Sequence, residues 1–163
     1  MHTGNVVVAW IAAVQDRLAA EARSLGVEGR DLAALTMVAA YDGRPLDWLR
    51  PRIELTQSGT VRLVDRLAAR GLLRRGASTG RGVPLHLTPA GHDLLATWGT
   101  RRDAAIDEML ATLPPSVRDG LVDGIAQALR AQPRERARAD ATCRGCTWPA
   151  CGTDCPVDRS VPS

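Results

Sequence analysis

Lysine and phenylalanine are both absent from this chain of 163 residues, so arginine supplies all 21 of its basic side chains. The arginines are unevenly distributed along the chain. The segment 44–81 holds nine arginines against three carboxylates, a net charge of +6, whereas the whole chain carries only +3. A local basic field of this kind is typical of a surface that meets the phosphates of a nucleic acid.

The sequence also lacks a long hydrophobic run. The apolar stretch that starts at Val6 is interrupted by Gln15, Asp16 and Arg17, and it falls well short of the roughly 20 apolar residues that cross a bilayer. The first five residues contain no basic side chain, whereas a signal peptide begins with a positively charged region. We therefore expect a cytoplasmic protein without a membrane partner.

Common catalytic motifs are missing as well. The chain has no nucleophile elbow, no phosphate-binding loop and no H-E-x-x-H motif. Its three histidines, His2, His86 and His92, do not stand at the spacing of metal ligands. The sequence therefore predicts a binding protein and not an enzyme.

Hydrophobic periodicity predicts a mainly α-helical fold. A long first helix ends near Gly26, and Asp31 is placed to cap a second helix. A further helix starts at Thr56 or Ser58 and stops at Gly71, which can adopt the left-handed conformation of a helix end. In this helix we expect a buried stripe formed by Val61, Val64, Leu67 and Ala68.

A β-hairpin and two more helices complete the expected elements. Apolar runs at 72–75 and 83–87 flank a glycine-rich link, which predicts a hairpin. Thr88-Pro89 is a strong helix start, and the helix that follows breaks at Pro114-Pro115. The last helix runs to Pro133, and the arginine-rich segment 132–141 is expected to be a linker.

The order of the elements divides the chain into four parts. They are an N-terminal dimerisation helix (1–30), a winged helix-turn-helix (31–88), C-terminal dimerisation helices (89–132), and a linker with a cysteine-rich tail (133–163). Three long amphipathic helices flank a compact middle module that is too small to cover them. Their apolar faces therefore predict a homodimer.

Within this order, three short motifs resemble those of the multiple-antibiotic-resistance regulator (MarR) family. They are valine-aspartate-arginine-leucine at 64–67, arginine-glycine-leucine at 70–72 and leucine-threonine-x-x-glycine at 87–91. The resemblance covers residues 5–131 and implies a homodimer that binds a palindromic operator in double-stranded DNA, usually as a repressor. The chain differs from most members of the family at Pro51, which interrupts the first helix of the helix-turn-helix.

The resemblance also implies which residues meet DNA. It places Gln57, Ser58, Thr60 and Arg62 at the start and exposed face of the recognition helix, where amides, hydroxyls and guanidinium groups read base edges or bind phosphates. Arg81, at the hairpin tip, matches the wing arginine that such proteins insert into the minor groove.

The tail holds every cysteine of the chain, Cys143, Cys146, Cys151 and Cys155, in the pattern C-x2-C-x4-C-x3-C. Four thiolates within thirteen residues match a tetrahedral zinc site or an iron-sulfur cluster. The resemblance of the spacing to a zinc knuckle favours zinc. The C-x3-C-Pro ending favours a cluster, which Trp148 and Pro149 could shield from water, and we prefer the cluster.

Together these features predict a homodimeric transcriptional regulator whose operator affinity depends on a four-cysteine centre that senses metal or redox state. The centre is expected to act by changing how the two C-terminal helices pack. The alternative is a regulator of the same fold that responds to a small molecule and holds a structural zinc. Trp10, Tyr41 and Trp48 could line such a ligand pocket, but because the chain has no phenylalanine we expect them to be core residues.

Overall fold

The computed structural model describes residues 2–78, 80, 82–147 and 151–162. Within these ranges the chain forms helices and one small antiparallel sheet, which confirms the mainly α fold with a hairpin. The elements are α1 (Thr3–Ser24), α2 (Gly29–Ala40), α3 (Leu46–Leu49), α4 (Gln57–Ala69), β1 (Leu73–Arg75), β2 (Leu85–Leu87), α5 (Pro89–Leu110), α6 (Pro115–Arg130) and α7 (Arg136–Thr142). Short 3₁₀ turns cover Arg50–Arg52, Gly152–Asp154 and Asp158–Ser160.

The helix ends follow the capping residues of the sequence. Thr56 begins α4, and its hydroxyl accepts the backbone N–H of Gly59 at 3.2 Å. Gly71 ends the same helix with a φ of +68°. Asp31 caps α2 as the sequence predicts, but from the third position of the helix: its carboxylate accepts the backbone N–H of the N-cap residue Glu28 at 3.0 Å in a capping box.

The hairpin and α5 pack closely because of one glycine. Leu73 pairs with Leu87 and Arg75 with Leu85 in an antiparallel register. A Cβ atom at Gly91 would lie only 2.1 Å from the carbonyl oxygen of Leu72. The leucine-threonine-x-x-glycine motif therefore has glycine at its last position because the α5 backbone touches the chain entering β1.

Pro51 lies just after α3 and keeps that helix short. Helix α3 ends at Leu49, and the chain continues as the 3₁₀ turn Arg50–Arg52. Proline lacks the backbone N–H that an α-helix interior needs, which accounts for the change. After this turn Glu54 adopts a φ of +54°, a left-handed backbone conformation that residues other than glycine seldom adopt.

Two hydrophobic clusters hold the main body together. The larger one joins α2, α3, α4 and the hairpin, and its most buried large residues are Leu35, Met37, Leu49, Val64, Leu67, Leu73 and Leu85. The smaller one joins α1, α2 and α5 through Ala22, Val27, Leu32 and Trp98. Together they fix α4 and the hairpin against the long helices.

The long helices α1 and α6 leave apolar side chains in solvent. Seven of the large exposed hydrophobic residues lie on these two helices: Val6, Val7, Val8, Ile11, Val117, Val122 and Ile125. No residue of α6 is buried. These faces lack a cover within the part of the chain that the structure describes.

The segment 132–141, expected to be a linker, is partly helical. Helix α7 starts at Arg136, and Ala139, Asp140 and Ala141 on it are buried. Its high arginine content is typical of a solvated linker, but the small alanines allow close packing and Asp140 finds buried partners. No helix of the described residues is long and apolar enough to cross a membrane.

Candidate DNA interface and four-cysteine cavity

Helix α4 presents one exposed face near its N-terminus. Gln57, Ser58 and Arg62 are exposed on it, as the sequence predicts. Together with Thr56 and Val61 they line an open depression of about 730 Å³. Amide, hydroxyl and guanidinium groups thus converge on one surface, with donors and acceptors suited to base edges and phosphates.

The structure corrects the predicted face of α4 at two neighbouring residues. Thr60 is 0% exposed, and its hydroxyl donates to the carbonyl oxygen of Thr56 at 2.9 Å, so it cannot face a groove. Val61, placed in the buried stripe by its hydrophobicity, is instead 37% exposed. The hydroxyl of Thr60 is satisfied within the helix, which allows this small side chain to occupy the core position.

The basic charge of this module is only partly neutralised. Arg66 pairs with Asp31 and Arg75 pairs with Asp65, the latter at 2.7 Å. Arg62 forms no ion pair among the described residues. Its guanidinium is therefore available on the same surface as Gln57 and Ser58.

The predicted wing contact lies outside the described residues. Arg81 and Thr79 are both outside the residues that the structure describes. The base of the hairpin is described: Gly76 donates a backbone hydrogen bond to Pro84 at 2.8 Å. The wing arginine therefore stays a prediction.

The four cysteines all line one cavity of about 130 Å³, which Thr147, Gly152 and Asp158 complete. All four are free thiols. Cys143, at the end of α7, is buried together with Ala139 and Val157 in a small cluster of its own. The four cysteines thus share one cavity, and the metal centre expected from their spacing stays a prediction.

The thiols interact with each other and with nearby polar groups. A hydrogen bond with Cys143 lowers the pKa of Cys146 to about 7, and the positive charge of Arg102 acts in the same direction. The same hydrogen bond and burial raise the pKa of Cys143, and burial raises that of Cys151. The backbone N–H of Asp158 donates to the Cys155 sulfur at 3.5 Å, a contact typical of a thiolate ligand's surroundings.

The cysteine segment is held against α5 on one side. Arg102 of α5 donates to the carbonyl oxygen of Gly145 at 3.3 Å, and Thr147 packs over Gly99. Among the described residues, no group of three or more His, Cys, Asp and Glu side chains is arranged to hold a metal ion. Trp148 and Pro149, expected to shield a cluster, lie outside those residues.

A second cavity, of about 540 Å³, adjoins the cysteine segment. Its walls come from α2, α5 and the tail: Thr36, Ala39, Ala40, His92, Leu95, Ala96, Trp98, Cys146 and Thr147. Trp98 is only 5% exposed, and its indole N–H has no hydrogen-bond acceptor within the described part of the chain. Cys146 and Thr147 line both this cavity and the cysteine cavity.

Two of the aromatic residues, Tyr41 and Trp48, pack against each other. The rings of Tyr41 and Trp48 lie 4.7 Å apart, and the guanidinium of Arg52 lies 3.7 Å from the centre of the Trp48 ring. The Tyr41 hydroxyl and Arg52 both bind Asp140 of α7. Burial and the bond to Asp140 raise the pKa of Tyr41 to about 12. Sequence reasoning missed this cluster because Asp140 stands 88 residues or more from its partners.

Solved structures with a similar fold are regulators. A MarR-family regulator from Silicibacter pomeroyi shares 26% identity over 78% of this chain and 88% of its own, with a TM-score of 0.58. The MarR-family protein Rv2887 of Mycobacterium tuberculosis, in complex with DNA, gives 18% identity over 77% and 95%, with a TM-score of 0.66. CouR from Rhodococcus jostii RHA1, bound to p-coumaroyl-CoA, gives 22% identity over 78% and 91%, with a TM-score of 0.59.

No protein-family model and no curated protein matches the sequence. The similarity to these structures leaves about a fifth of the chain outside each alignment. Each alignment covers more than three quarters of this chain with a TM-score of 0.58 or more. This chain therefore has the winged-helix fold of MarR-family transcriptional regulators.

Proposed function

We propose that this protein is a homodimeric, DNA-binding transcriptional regulator that acts as a repressor. The observation that carries the proposal is the exposed face of α4, where Gln57, Ser58, Val61 and Arg62 line one depression in a winged-helix fold. A relative of this fold is described in complex with DNA. An α-helix fits the major groove, where base edges are distinguishable.

Each exposed side chain of α4 suits a different contact. The Gln57 amide can bind adenine with two hydrogen bonds, and Arg62 can bind guanine in the same way or anchor a phosphate. Val61 adds an apolar surface, which fits the 5-methyl group of thymine. These three side chains therefore favour a site that includes a mixture of bases and is not defined by phosphates alone.

The dimer follows from the uncovered faces of α1 and α6. A second copy of the chain offers the same apolar faces and can bury them by two-fold symmetry. Two recognition helices would then meet half-sites roughly one helical turn, about 34 Å, apart.

Selection of binding sequences from a random DNA pool tests this proposal. We expect a pseudo-palindrome, with affinity that falls steeply as salt rises. The variant Arg62→Ala should lose affinity, by about 1–3 kcal/mol if a bidentate base contact is removed. Arg130→Ala, an exposed arginine on α6, is the matched control and should bind like the parent. Equal, sequence-independent binding by all three proteins would contradict the assignment of α4.

We further propose that the four cysteines form the regulatory input as the ligands of an iron-sulfur cluster. Convergence of all four thiols on one cavity supports a four-thiolate centre. The C-x3-C-Pro ending of the cysteine segment favours the cluster over zinc. Such a group would supply sensitivity to oxidants.

Anaerobic purification followed by visible absorbance and metal analysis tests the identity of the centre, because a cluster absorbs visible light and zinc does not. A variant with Cys143, Cys146, Cys151 and Cys155 all changed to Ser tests its role. It should remain a folded dimer whose operator affinity no longer changes with oxidant or chelator, whereas the parent's affinity should change by about 5–150-fold. A variant that responds like the parent would move the input elsewhere.

The second candidate input is a small molecule in the 540 Å³ cavity. Its lining of alanines, Leu95 and Trp98 suits an apolar or aromatic ligand, and an acceptor on that ligand could satisfy the Trp98 indole. CouR, with the same fold, is described with p-coumaroyl-CoA bound. If this input is correct, Ala96→Leu should abolish a ligand response that the cysteine variant retains.

A further inference from the structure

A buried carboxylate joins the cysteine tail to the DNA-binding module. Asp140 of α7 is 1% exposed, and Arg52, in the turn after α3, binds it at 2.8 Å with only 11% of its side chain exposed. The Tyr41 hydroxyl donates to the other carboxylate oxygen at 2.9 Å. An ion pair removed from water in this way is stabilised by these particular partners and is strongly disrupted when one is lost.

The Arg52 end of this contact is itself fixed. Its guanidinium stacks on Trp48 and donates to the Trp48 carbonyl oxygen at 2.9 Å. Trp48 packs against the main hydrophobic cluster, which also contains the buried side of α4. The contacts of Asp140 thus reach, through Arg52 and Trp48, the helix that directly precedes α4.

A second contact reaches the turn between these two helices. Glu54 pairs with Arg138 of α7 and, at 3.1 Å, with Arg144, the residue after Cys143. Glu54 holds the left-handed backbone of that turn, three residues before α4 begins. All three side chains keep at least 42% of their surface exposed, so salt screens these pairs, and the buried Asp140 pair carries most of the contact.

The other end of α7 belongs to the cysteine cavity. Cys143 ends the helix, and its backbone N–H donates to the carbonyl oxygen of Ala139 at 3.0 Å. Cys143 is buried with Ala139 and Val157, and Cys155 packs against them. A helix of seven residues thus has a thiol of the cavity at one end and the partner of Arg52 one turn earlier.

We propose that Asp140 is a positioning residue that couples the cysteine cavity to the recognition helix of the same protomer. When the four-thiol centre is intact, α7 is held in place, Asp140 fixes Arg52, and the turn before α4 keeps its conformation. When the centre is lost, α7 loosens and that turn becomes mobile. The biological role of this coupling rests on the proposed regulatory function, but the coupling itself can be measured without it. It acts within one chain. The hypothesis from the sequence differs, because there the signal changes how the C-terminal helices pack.

Amide hydrogen exchange of residues 46–53 measures the coupling directly in the full-length protein. We compare the parent with the quadruple Cys→Ser variant, and then repeat the comparison in an Asp140→Asn background. In the parent background, loss of the cysteines should speed exchange in this segment by about fivefold or more, in the range of allosteric coupling. In the Asp140→Asn background, the segment should exchange fast already, and loss of the cysteines should add no further change.

Asp158→Asn is the matched control. Asp158, in the last 3₁₀ turn, pairs with Arg136 of α7 at 2.6 Å and lines the cysteine cavity, and among the described residues it forms no ion pair with the DNA-binding module. Arg136 lies 3.9 Å from Asp140, a longer contact than the 2.8 Å pair between Asp140 and Arg52. In that background, loss of the cysteines should still speed exchange in 46–53. Tyr41→Phe removes the hydrogen bond from Tyr41 to Asp140 and keeps the pair of Asp140 with Arg52, so it should weaken the effect partially, which keeps the test valid if Asp140→Asn proves poorly folded.

Operator affinity, measured on the same proteins with the selected DNA, separates the two proposals. If exchange responds as expected but the affinity of the parent and of the quadruple variant is equal, the regulatory function fails and the positioning role stands. If affinity responds while exchange in 46–53 does not, or responds equally with Asp140→Asn, the positioning role of Asp140 is wrong and the regulatory function stands.

Discussion

Replacement of Ile125 by Glu should dissociate the proposed dimer. Ile125 lies on α6 and is 47% exposed in the single chain, next to other uncovered apolar residues. Full burial of an isoleucine side chain contributes about 1.5–3 kcal/mol, so covering its exposed half contributes about 1 kcal/mol. Two-fold symmetry doubles this to about 2 kcal/mol for each dimer.

The size of the effect depends on what replaces the side chain. Ile125→Ala removes only the apolar contact and should raise the dimer dissociation constant by about 30-fold. Ile125→Glu also buries two carboxylates, at a penalty that we take as about 2 kcal/mol each, so the constant should rise by about 10⁴-fold. Gln127→Glu adds the same charge two residues along, on the opposite side of the helix, and should leave the dimer intact.

Sedimentation equilibrium over a range of protein concentrations gives these constants, and circular dichroism confirms that each variant is folded. Dissociation should reduce operator affinity in parallel, because one recognition helix would then contact one half-site. If Ile125→Glu remains a dimer with the affinity of the parent, α6 is not at the interface. If Gln127→Glu dissociates equally, charge and not the apolar face controls assembly.

Two further predictions concern single side chains. Val61→Ala should weaken binding of the selected operator by about 1 kcal/mol, and replacement of the contacted thymine by uracil should weaken the parent equally but leave the variant unchanged, as fluorescence anisotropy can test. In metal-free protein, Cys146 should be alkylated fastest of the four thiols at pH 7, because a pKa of about 7 leaves about half of it as thiolate. The alkylation rate of Cys146 should fall as the pH falls below 7, and Arg102→Ala should move that fall to higher pH. Mass spectrometry of each cysteine peptide measures the rates, and a different cysteine reacting first would contradict the assignment.

Local sequence determined most of the secondary structure. Thr56, Gly71 and the Thr88-Pro89 pair act on their own or the next turn of backbone, so the ends of α4 and the start of α5 could be predicted. The hairpin could be predicted for the same reason, because its glycine-rich link and the two apolar runs beside it are close together in the sequence. The C-x2-C-x4-C-x3-C spacing is also local, since thirteen residues can fold their thiols around one cavity with few long-range contacts.

Tertiary packing alone decided three other features. Thr60 occupies the core of α4 and Val61 faces solvent because the helix must seat Leu63, Val64 and Leu67 against α2, and hydrophobicity by itself could not assign that rotation. Segment 136–142 became a packed helix because Asp140 found partners far away in the chain. The sequence determined that a cysteine-rich segment follows a winged-helix module; only the fold placed Asp140 of that segment against Tyr41 and Arg52 of the module, since a buried charge is stable only beside partners that distant parts of the chain supply.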